Sequence, residues 1–304
     1  MRNNVPIYFV IALFCASIVT QLLVSSDSQS ETKSSDIFQS KSGIAVIDIY
    51  GPISFASPSQ AFIPVGADAI ISQLKAAEDN KKVKGVVLRI NSPGGTVGAS
   101  QEIFSAIQTL KEKRDIPIVA SIADVGASGA YYAAMATDTI YANRGSLIGS
   151  IGVIIGNINI TELAKRYGLS YEIYKSGEYK DALSSWRTAS EKEKELYQGL
   201  VDNVYEQFLS DFVTTRKLTK KQAEKLAQGQ VFTGETAQKN GIVDTLGTFQ
   251  DAIAFTAKEA GIEGKPTIIN LEDQPFKDVL SVWRDQIGAS FRNMLTPTTT
   301  LEYR

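Results

Sequence analysis

Histidine is absent from the 304-residue sequence, and Cys15 is its single cysteine. A Ser/His/Asp triad needs an imidazole, and a Cys/His peptidase needs both of its named partners. Zinc sites are built mainly from His and Cys ligands, and a disulfide within one chain needs two cysteines. The sequence therefore excludes these catalytic schemes, and we expect no metal site. Acid–base chemistry near neutral pH is left to another side chain with a shifted pKa, or to a bound cofactor.

The chain also has little net charge, with 31 Lys and Arg residues against 33 Asp and Glu residues and a pI near 5.5. Nucleic-acid-binding domains concentrate Lys and Arg on one face, and the sequence shows no such basic cluster. We therefore expect no nucleic-acid partner.

Residues 5–24 form an uncharged, apolar run that is long enough for one helix to cross a bilayer. Arg2 and the terminal amine precede this run, so the positive-inside rule places the N-terminus in the cytoplasm and the remainder outside. We expect residues 1–24 to be a transmembrane signal anchor. A cleaved signal peptide is the alternative, but the run exceeds a usual signal-peptide core and no clear A-x-A cleavage site follows it.

The rest of the chain divides into three parts by composition. Residues 25–42 are rich in Ser and charge and have almost nothing to bury, which predicts a flexible polar linker. Residues 43–270 alternate β-branched runs with amphipathic stretches, which predicts an α/β domain with a mostly parallel β-sheet and flanking helices. The pattern fades in residues 271–304, a C-terminal extension that contains a TPTTT tail.

Two glycine-rich turns stand where predicted strands end and helices begin. The predicted strands are 44–50, 83–90, 116–122, 139–142 and 171–175. The predicted helices are 67–80, 97–113, 190–216, 219–227, 234–240 and 248–260. Open α/β sheets place their sites in loops at the carboxyl ends of strands. The turns after strands 83–90 and 116–122 are therefore the candidate site.

The first turn carries Gly94 and Gly95, and the second carries Ser128 between Ala127 and Gly129. Adjacent glycines expose backbone amides that can hold an oxyanion, although a Pro-Gly-Gly sequence is also an ordinary tight loop. Ser128 begins a predicted helix of small residues. Its hydroxyl is a candidate nucleophile, and simple N-capping of that helix is the alternative.

A seryl nucleophile in a chain without histidine needs another base, and a lysine whose amine is kept neutral by desolvation can serve. Lys180 follows the predicted strand 171–175 and a Ser-Gly turn, and it precedes Ala182 and Leu183, where partial burial is plausible. Lys175 is its nearest rival. An ordinary solvated amine is the alternative for either lysine.

Five motifs follow one another along residues 43–262: RINSPGG, DVGASGAYYAAMATDTIYAN, GSLIGSIGV, YKSGEYKDALS and FTGETAQKNGIVDTLG. In this combination the chain resembles the signal peptide peptidase A family, in its short, single-repeat bacterial form. The resemblance implies the Clp protease/crotonase superfold and a serine peptidase with a Ser/Lys dyad. Ser128 matches the family's nucleophile and Lys180 its general base. No cofactor is implied.

The same resemblance implies that the Gly94-Gly95 turn and the amide of Gly129 form the oxyanion hole. It also suggests that Ser150 orients the lysine amine, with an ordinary turn residue as the alternative. The implied substrates are remnant signal peptides and other apolar peptides. The implied assembly is a ring-shaped homo-oligomer, held in the bacterial cytoplasmic membrane by the N-terminal helix, with its catalytic domains on the periplasmic side.

Two other classes of function are left open by the sequence. A crotonase-like acyl-thioester enzyme would use paired amides to stabilise an enolate, but it usually needs carboxylates and a cytosolic coenzyme A supply. A catalytically silent membrane scaffold would keep the fold only for interactions with partners. Labelling of Ser128 by a serine-reactive probe and cleavage of apolar peptides distinguish a peptidase from both.

Overall fold

The computed structural model describes residues 42–55 and 66–271 of the chain. The predicted signal anchor, nearly all of the predicted linker and all but the first residue of the predicted C-terminal extension lie outside these ranges. Within them, no helix combines the length and the apolar character that a membrane crossing requires.

One eight-stranded sheet organises the described part of the chain. Its strands are β1 (Gly43–Tyr50), β2 (Val83–Ser92), β3 (Ile118–Ala127), β4 (Thr139–Ala142), β5 (Leu147–Gly149), β6 (Val231–Thr233), β7 (Thr245–Leu246) and β8 (Thr267–Ile269). The strand order is β6-β5-β3-β2-β1-β8, with β4 paired to β3 and β7 paired to β4. Every pair is parallel except β5 with β6. The predicted mostly parallel sheet is confirmed.

Helices alternate with these strands. Over the described ranges they are α1 (Ala67–Asp79), α2 (Val97–Lys113), α3 (Gly129–Ala134), α4 (Thr161–Arg166), α5 (Glu191–Arg216), α6 (Lys220–Leu226), α7 (Gly234–Lys239) and α8 (Phe249–Glu259). Helix α2 buries Ile103, Ile107 and Leu110, which share one face because they are spaced by four and three residues. Capping boxes begin α5, α6 and α8, since each has a Ser or Thr N-cap paired with the third helical residue.

The sheet separates two apolar cores. Along β1, Ala45, Ile47 and Ile49 join the larger core, whereas Ile44 joins the smaller one. Alternate residues of a strand point to opposite faces of the sheet, so the two cores lie on its two sides. Helices α1, α2, α3 and α5 contribute to the larger core, and α8 closes the smaller one.

The predicted strand at residues 171–175 is wrong, because these residues form neither strand nor helix and all five are exposed. Aromatic and β-branched residues favour a strand only when the backbone finds a neighbouring strand to pair with. Strands β5 to β8 were missed by the sequence patterns, since two or three residues are too few to show a period. The other predicted strands and helices are confirmed to within two residues at their ends, except that β3 continues to Ala127, beyond the predicted end at residue 122.

Strand β3 changes neighbours along its length. Its residues 119–122 pair with β4, and its residues 125–127 pair with β5. On the opposite edge, Ser92 of β2 pairs with Gly126 after a shift of register. The last residues of β3 are therefore fixed on both edges immediately before Ser128.

Candidate active site

Ser128 occupies the sharp turn between β3 and α3. Its backbone has φ 52° and ψ −124°, a conformation that non-glycine residues rarely adopt. It stands at the N-cap position of α3, but its side chain makes no capping hydrogen bond. Its backbone amide donates to the Gly149 carbonyl over 2.7 Å, which fixes the turn against β5. The structure thus favours a free hydroxyl over the capping role.

The two glycine-rich turns meet at this serine. A Cβ atom added to Gly94, whose φ is +96°, would lie 2.8 Å from the Ser128 Cβ atom and 2.6 Å from the Gly129 nitrogen. A Cβ atom added to Gly95 would lie 1.8 Å from the Ile53 carbonyl oxygen. Both positions require glycine because backbone atoms occupy the space of a side chain.

The amides of Gly95 and Gly129 are neighbours. A Cβ atom added to Gly129 would lie 3.3 Å from the Gly95 nitrogen. The Ile53 amide donates to the Gly94 carbonyl, and the Ile53 carbonyl accepts from the Thr96 amide. These two bonds flank Gly95 and do not involve the Gly95 N–H. In the described ranges, neither glycine amide has a hydrogen-bond acceptor. Two free amides beside a serine hydroxyl are suited to hold the oxyanion of a tetrahedral intermediate.

Side chains at the end of β2 hold the two loops in place. The Asn91 side-chain oxygen accepts from the Val125 amide over 3.1 Å, and its nitrogen approaches an Asp124 carboxylate oxygen at 3.4 Å. The buried Ser92 hydroxyl accepts from the Gly94 amide over 3.1 Å. The sequence patterns placed Asn91 and Ser92 in the turn but assigned neither a role. Both are polar residues at the end of a buried apolar strand, and this position could have indicated a role in the turn.

Gly129→Ala is expected to damage the site through packing. The added Cβ atom would lie 2.1 Å from the Ser100 hydroxyl oxygen, so the loop must shift and carry its amide away from the oxyanion position. If the Gly129 amide holds an oxyanion, kcat is expected to fall about 10²-fold to 10³-fold, the effect of losing one oxyanion donor. Overpacking is expected to cost about 1–3 kcal/mol of unfolding free energy, measured by denaturant titration.

A second substitution provides the control for that prediction. Ser100→Ala removes the oxygen that the new methyl group would strike, leaving a contact of 3.1 Å to the Ser100 Cβ atom. The Gly129→Ala/Ser100→Ala protein is therefore expected to regain part of both kcat and stability. Unchanged kcat in the single variant would show that the Gly129 amide is not needed.

A cavity of about 630 Å³ opens beside Ser128. Gly95, Gly129 and Ser150 line it together with the serine. Apolar side chains on its wall include those of Val97, Val153, Ile154, Val201, Val204, Tyr205 and Phe208. The cavity is large enough to hold an apolar side chain of a bound ligand.

The ionisable side chains of the cavity wall, within the described residues, are Tyr132, Tyr205 and Asp202. Tyr132 packs between two phenylalanine rings at centroid distances of 4.9 and 4.8 Å and donates to the Asp211 carboxylate. Burial, reinforced by Asp211, raises the pKa of Tyr132 well above its usual value. This phenol therefore stays protonated at neutral pH and is a poor candidate for a base.

Ser150 lies directly after β5 and faces the same cavity as Ser128. Its φ is 49°, and its amide donates to the Gln230 carbonyl over 2.8 Å. The preceding residue, Gly149, is the one that accepts from the Ser128 amide. Ser150 is thus linked through adjacent backbone to the turn that holds Ser128, and it faces the same cavity.

Lys180 is not among the residues that line the cavity, and no lysine of the described ranges is. Lys180 is exposed, and no hydrogen bond joins it to Ser128 in the described part of this single chain. Its backbone amide lies 3.4 Å from the Gly177 carbonyl oxygen. The rival Lys175 is engaged elsewhere, with Asp181. One chain therefore assembles Ser128, both candidate oxyanion amides and Ser150, without a lysine.

Lys180 belongs to a largely exposed segment, residues 153–190, which we call the arm. Its one described helix is α4. Large apolar side chains more than half exposed on the arm are Ile154, Ile158, Leu163, Tyr167, Leu169, Tyr171 and Tyr174. Soluble monomers rarely expose so much apolar surface in one region, and surfaces of this kind mark interaction sites.

Comparison with protein-family models gives two matches. Residues 110–263, about half of the chain, match the model described as peptidase family S49. Residues 53–142 match the model described as Clp protease. The first match includes both Ser128 and Lys180, and the second includes both glycine-rich turns.

Three curated proteins are among the most similar. A Synechocystis sp. protein provisionally named protease slr0021 is 41% identical over 206 residues, which cover 67% of this chain and 73% of that protein. An Enterococcus faecium protein provisionally named signal peptide peptidase SppA is 37% identical over 189 residues, 62% of this chain and 55% of that protein. The chloroplastic serine protease SPPA of Arabidopsis thaliana is 32% identical over 246 residues, 79% of this chain but 35% of that protein.

Proposed function

Because this chain belongs to peptidase family S49 and is a serine protease, we propose that Ser128 is its nucleophile and forms the acyl-enzyme. One observation carries this proposal. The Ser128 hydroxyl makes no capping bond and stands beside the unpaired amides of Gly95 and Gly129, which are the donors that a tetrahedral oxyanion requires.

The general base in this proposal is Lys180 of a second copy of the chain. Among the described residues of one chain, no lysine lines the cavity, and Lys180 lies on the arm with its exposed apolar side chains. A neighbouring copy that covers the arm would bury its apolar side chains and take Lys180 out of water at the same time. Desolvation favours the neutral amine, which is the form that can accept a seryl proton.

The proposed reaction begins when the Ser128 oxygen attacks a peptide carbonyl and its proton passes to the neutral amine of Lys180. The amides of Gly95 and Gly129 hold the oxyanion, and the lysine then protonates the leaving amine. Water hydrolyses the acyl-enzyme with the same lysine as base. Ser150 would accept or donate a hydrogen bond at the amine and orient it without adding charge.

The proposed substrates are remnant signal peptides and other apolar peptides. Two observations support this class: the apolar wall of the cavity beside Ser128, and the name signal peptide peptidase carried by the Enterococcus relative. We place the protein in the bacterial cytoplasmic membrane through residues 1–24, with the catalytic domain on the periplasmic side. The charge ahead of the apolar run supports this orientation.

The proposed assembly is a ring-shaped homo-oligomer. A contact in which the arm of one copy reaches the cavity of the next joins two different surfaces, so it is heterologous. Heterologous contacts close into rings when the rotation between copies allows it. A ring would complete every active site with a lysine from its neighbour.

A fluorophosphonate probe tests the nucleophile directly on the full-length protein. We expect one covalent adduct per chain, located at Ser128 by peptide mass spectrometry, because only an activated serine attacks the probe quickly. Ser128→Ala should abolish the adduct. Ser210→Ala, which changes an exposed serine on α5, should leave it intact. An adduct on any other serine would contradict the proposal.

The pH dependence of hydrolysis tests the nature of the base. A lysine accepts a proton only when its amine is neutral, so kcat/KM for an apolar peptide should rise as the pH is raised from 6. A carboxylate base would instead reach full activity in the acidic range. A profile that is flat from pH 5 to 9 would therefore count against a lysine.

A further inference from the structure

Two carboxylates are buried at the C-terminal base of the largely exposed arm. Asp181, the residue after Lys180, and Glu193, in the first turn of α5, each expose only 4% of their side chains. In contrast, residues 165–180 are all exposed. Burying a carboxylate is costly unless it is paired and hydrogen-bonded, so both groups must have a specific partner.

Arg187 is that shared partner. Its Nε and Nη2 atoms each donate to an Asp181 carboxylate oxygen over 2.8 Å, in a two-pronged contact. Its Nη1 atom donates to Glu193 over 2.8 Å, and Nη2 also reaches the other Glu193 oxygen. Lys175 adds a second cation at Asp181. The guanidinium therefore bridges two carboxylates with its planar set of donors, which a lysine ammonium cannot reproduce.

The bridge ties the residue beside Lys180 to a rigid element. Glu193 is part of the capping box that begins α5, where it accepts from the Ser190 amide over 2.7 Å. Arg187 also lies 3.3 Å from the Asp181 carbonyl oxygen, so the backbone next to Lys180 is held as well as the side chain. The same interactions, Arg187 foremost, lower the pKa of Glu193 to about 2 and hold that of Asp181 well below its usual range.

We propose that Arg187 is a positioning residue for Lys180, because it clamps Asp181 to the start of α5 and thereby fixes the backbone from which the catalytic amine projects. This inference rests on the proposed role of Lys180 as general base. A lysine side chain has four rotatable bonds, and its amine can be placed only if its backbone is fixed. Misplacing a catalytic group by about 1 Å costs on the order of 10²-fold in rate.

Mixed assemblies of full-length chains test the proposal. Ser128→Ala chains can supply only the lysine, and Lys180→Ala chains can supply only the serine, so an active site forms only between the two kinds. Arg187→Lys is then placed in one kind of chain at a time. It keeps the charge at the clamp but lacks the fork that spans Asp181 and Glu193.

Arg187→Lys in the lysine-supplying chains is expected to lower kcat for an internally quenched apolar peptide about 10-fold to 100-fold, with KM changed less than about 2-fold. The same substitution in the serine-supplying chains should change neither constant by more than about 2-fold. Asp181→Asn, which keeps the shape of the side chain, should show the same asymmetry. Lys194→Ala removes an exposed pair with Glu191 on the same helix and should have no effect in either chain.

Other outcomes overturn the proposal in distinguishable ways. Equal losses in both kinds of chain would show that Arg187 serves only folding or assembly. Unchanged kcat in both would remove Arg187 from the mechanism while leaving Lys180 as the base. Full activity of Lys180→Ala chains by themselves would overturn the proposed base, and the positioning role would fall with it.

Discussion

Ser128→Ala is expected to lower kcat/KM for an apolar peptide by a factor on the order of 10⁴ or more, because removal of a seryl nucleophile leaves only binding and the oxyanion amides. KM should change little, since the cavity wall and the free amides of Gly95 and Gly129 are preserved. Initial rates measured over a range of peptide concentrations on the full-length protein give both constants.

The fold should tolerate this substitution. Alanine has the same difficulty as serine with the positive φ of residue 128, and the lost hydroxyl makes no capping bond to α3. The thermal unfolding midpoint is therefore expected to match that of the unchanged protein and of Ser210→Ala. Hydrolysis within about 10-fold of the starting rate would rule out Ser128 as the nucleophile.

Lys180→Ala and Lys180→Arg are expected to be nearly as damaging as loss of the serine, and equal to each other. Arginine keeps the positive charge and much of the length, but it does not become neutral at accessible pH and so cannot accept the seryl proton. Comparable losses in kcat would identify proton transfer, and not charge, as the function of Lys180. Activity retained by Lys180→Arg would contradict a neutral lysine base.

Mixing the two inactive proteins gives the sharper result. When Ser128→Ala and Lys180→Ala chains are produced together in equal amounts, random assembly pairs an intact serine with an intact lysine at about a quarter of the sites, if each site draws them from different copies. We expect about that share of normal activity. A mixture of Ser128→Ala chains with chains that carry both substitutions should stay inactive. An inactive first mixture would show that serine and lysine must come from one chain.

Much of the fold could be predicted because burial leaves a clear trace in the sequence. Strands β1, β2 and β4 are near-continuous apolar runs, and α2 has the bounds that its period of apolar residues indicates. The capping boxes mark the starts of three helices. Residues 171–175 are also rich in aromatic and β-branched side chains but form no strand, because no strand among the described residues pairs with their backbone.

The site was predictable only in part, for a related reason. Ser128 and the two glycines follow buried strands, and parallel strands bring their carboxyl ends to one edge of the sheet. That argument needs no knowledge of other chains, and the structure does bring these residues together. Composition and periodicity do not say which surface a residue on an exposed arm will meet, so the location of Lys180 relative to the serine could not be derived.

The sequence patterns also did not predict the burial of Asp181 and Glu193. Carboxylates on a polar stretch are normally solvated. Their spacing in the sequence does not predict that one arginine will bridge them. In the structure, the arm has much exposed apolar surface, but buried ionic contacts hold its base.

Under the proposed arrangement, in which Lys180 of one copy acts on Ser128 of another, proteolysis would decrease on dilution. An isolated copy would have the serine and the oxyanion amides but no proton acceptor. It would therefore not cleave surrounding polypeptides. Crowding of copies within a bilayer would switch the chemistry on by mass action, without a propeptide, an inhibitor or a modifying enzyme. Specific activity that rises with protein concentration would indicate this activation by assembly.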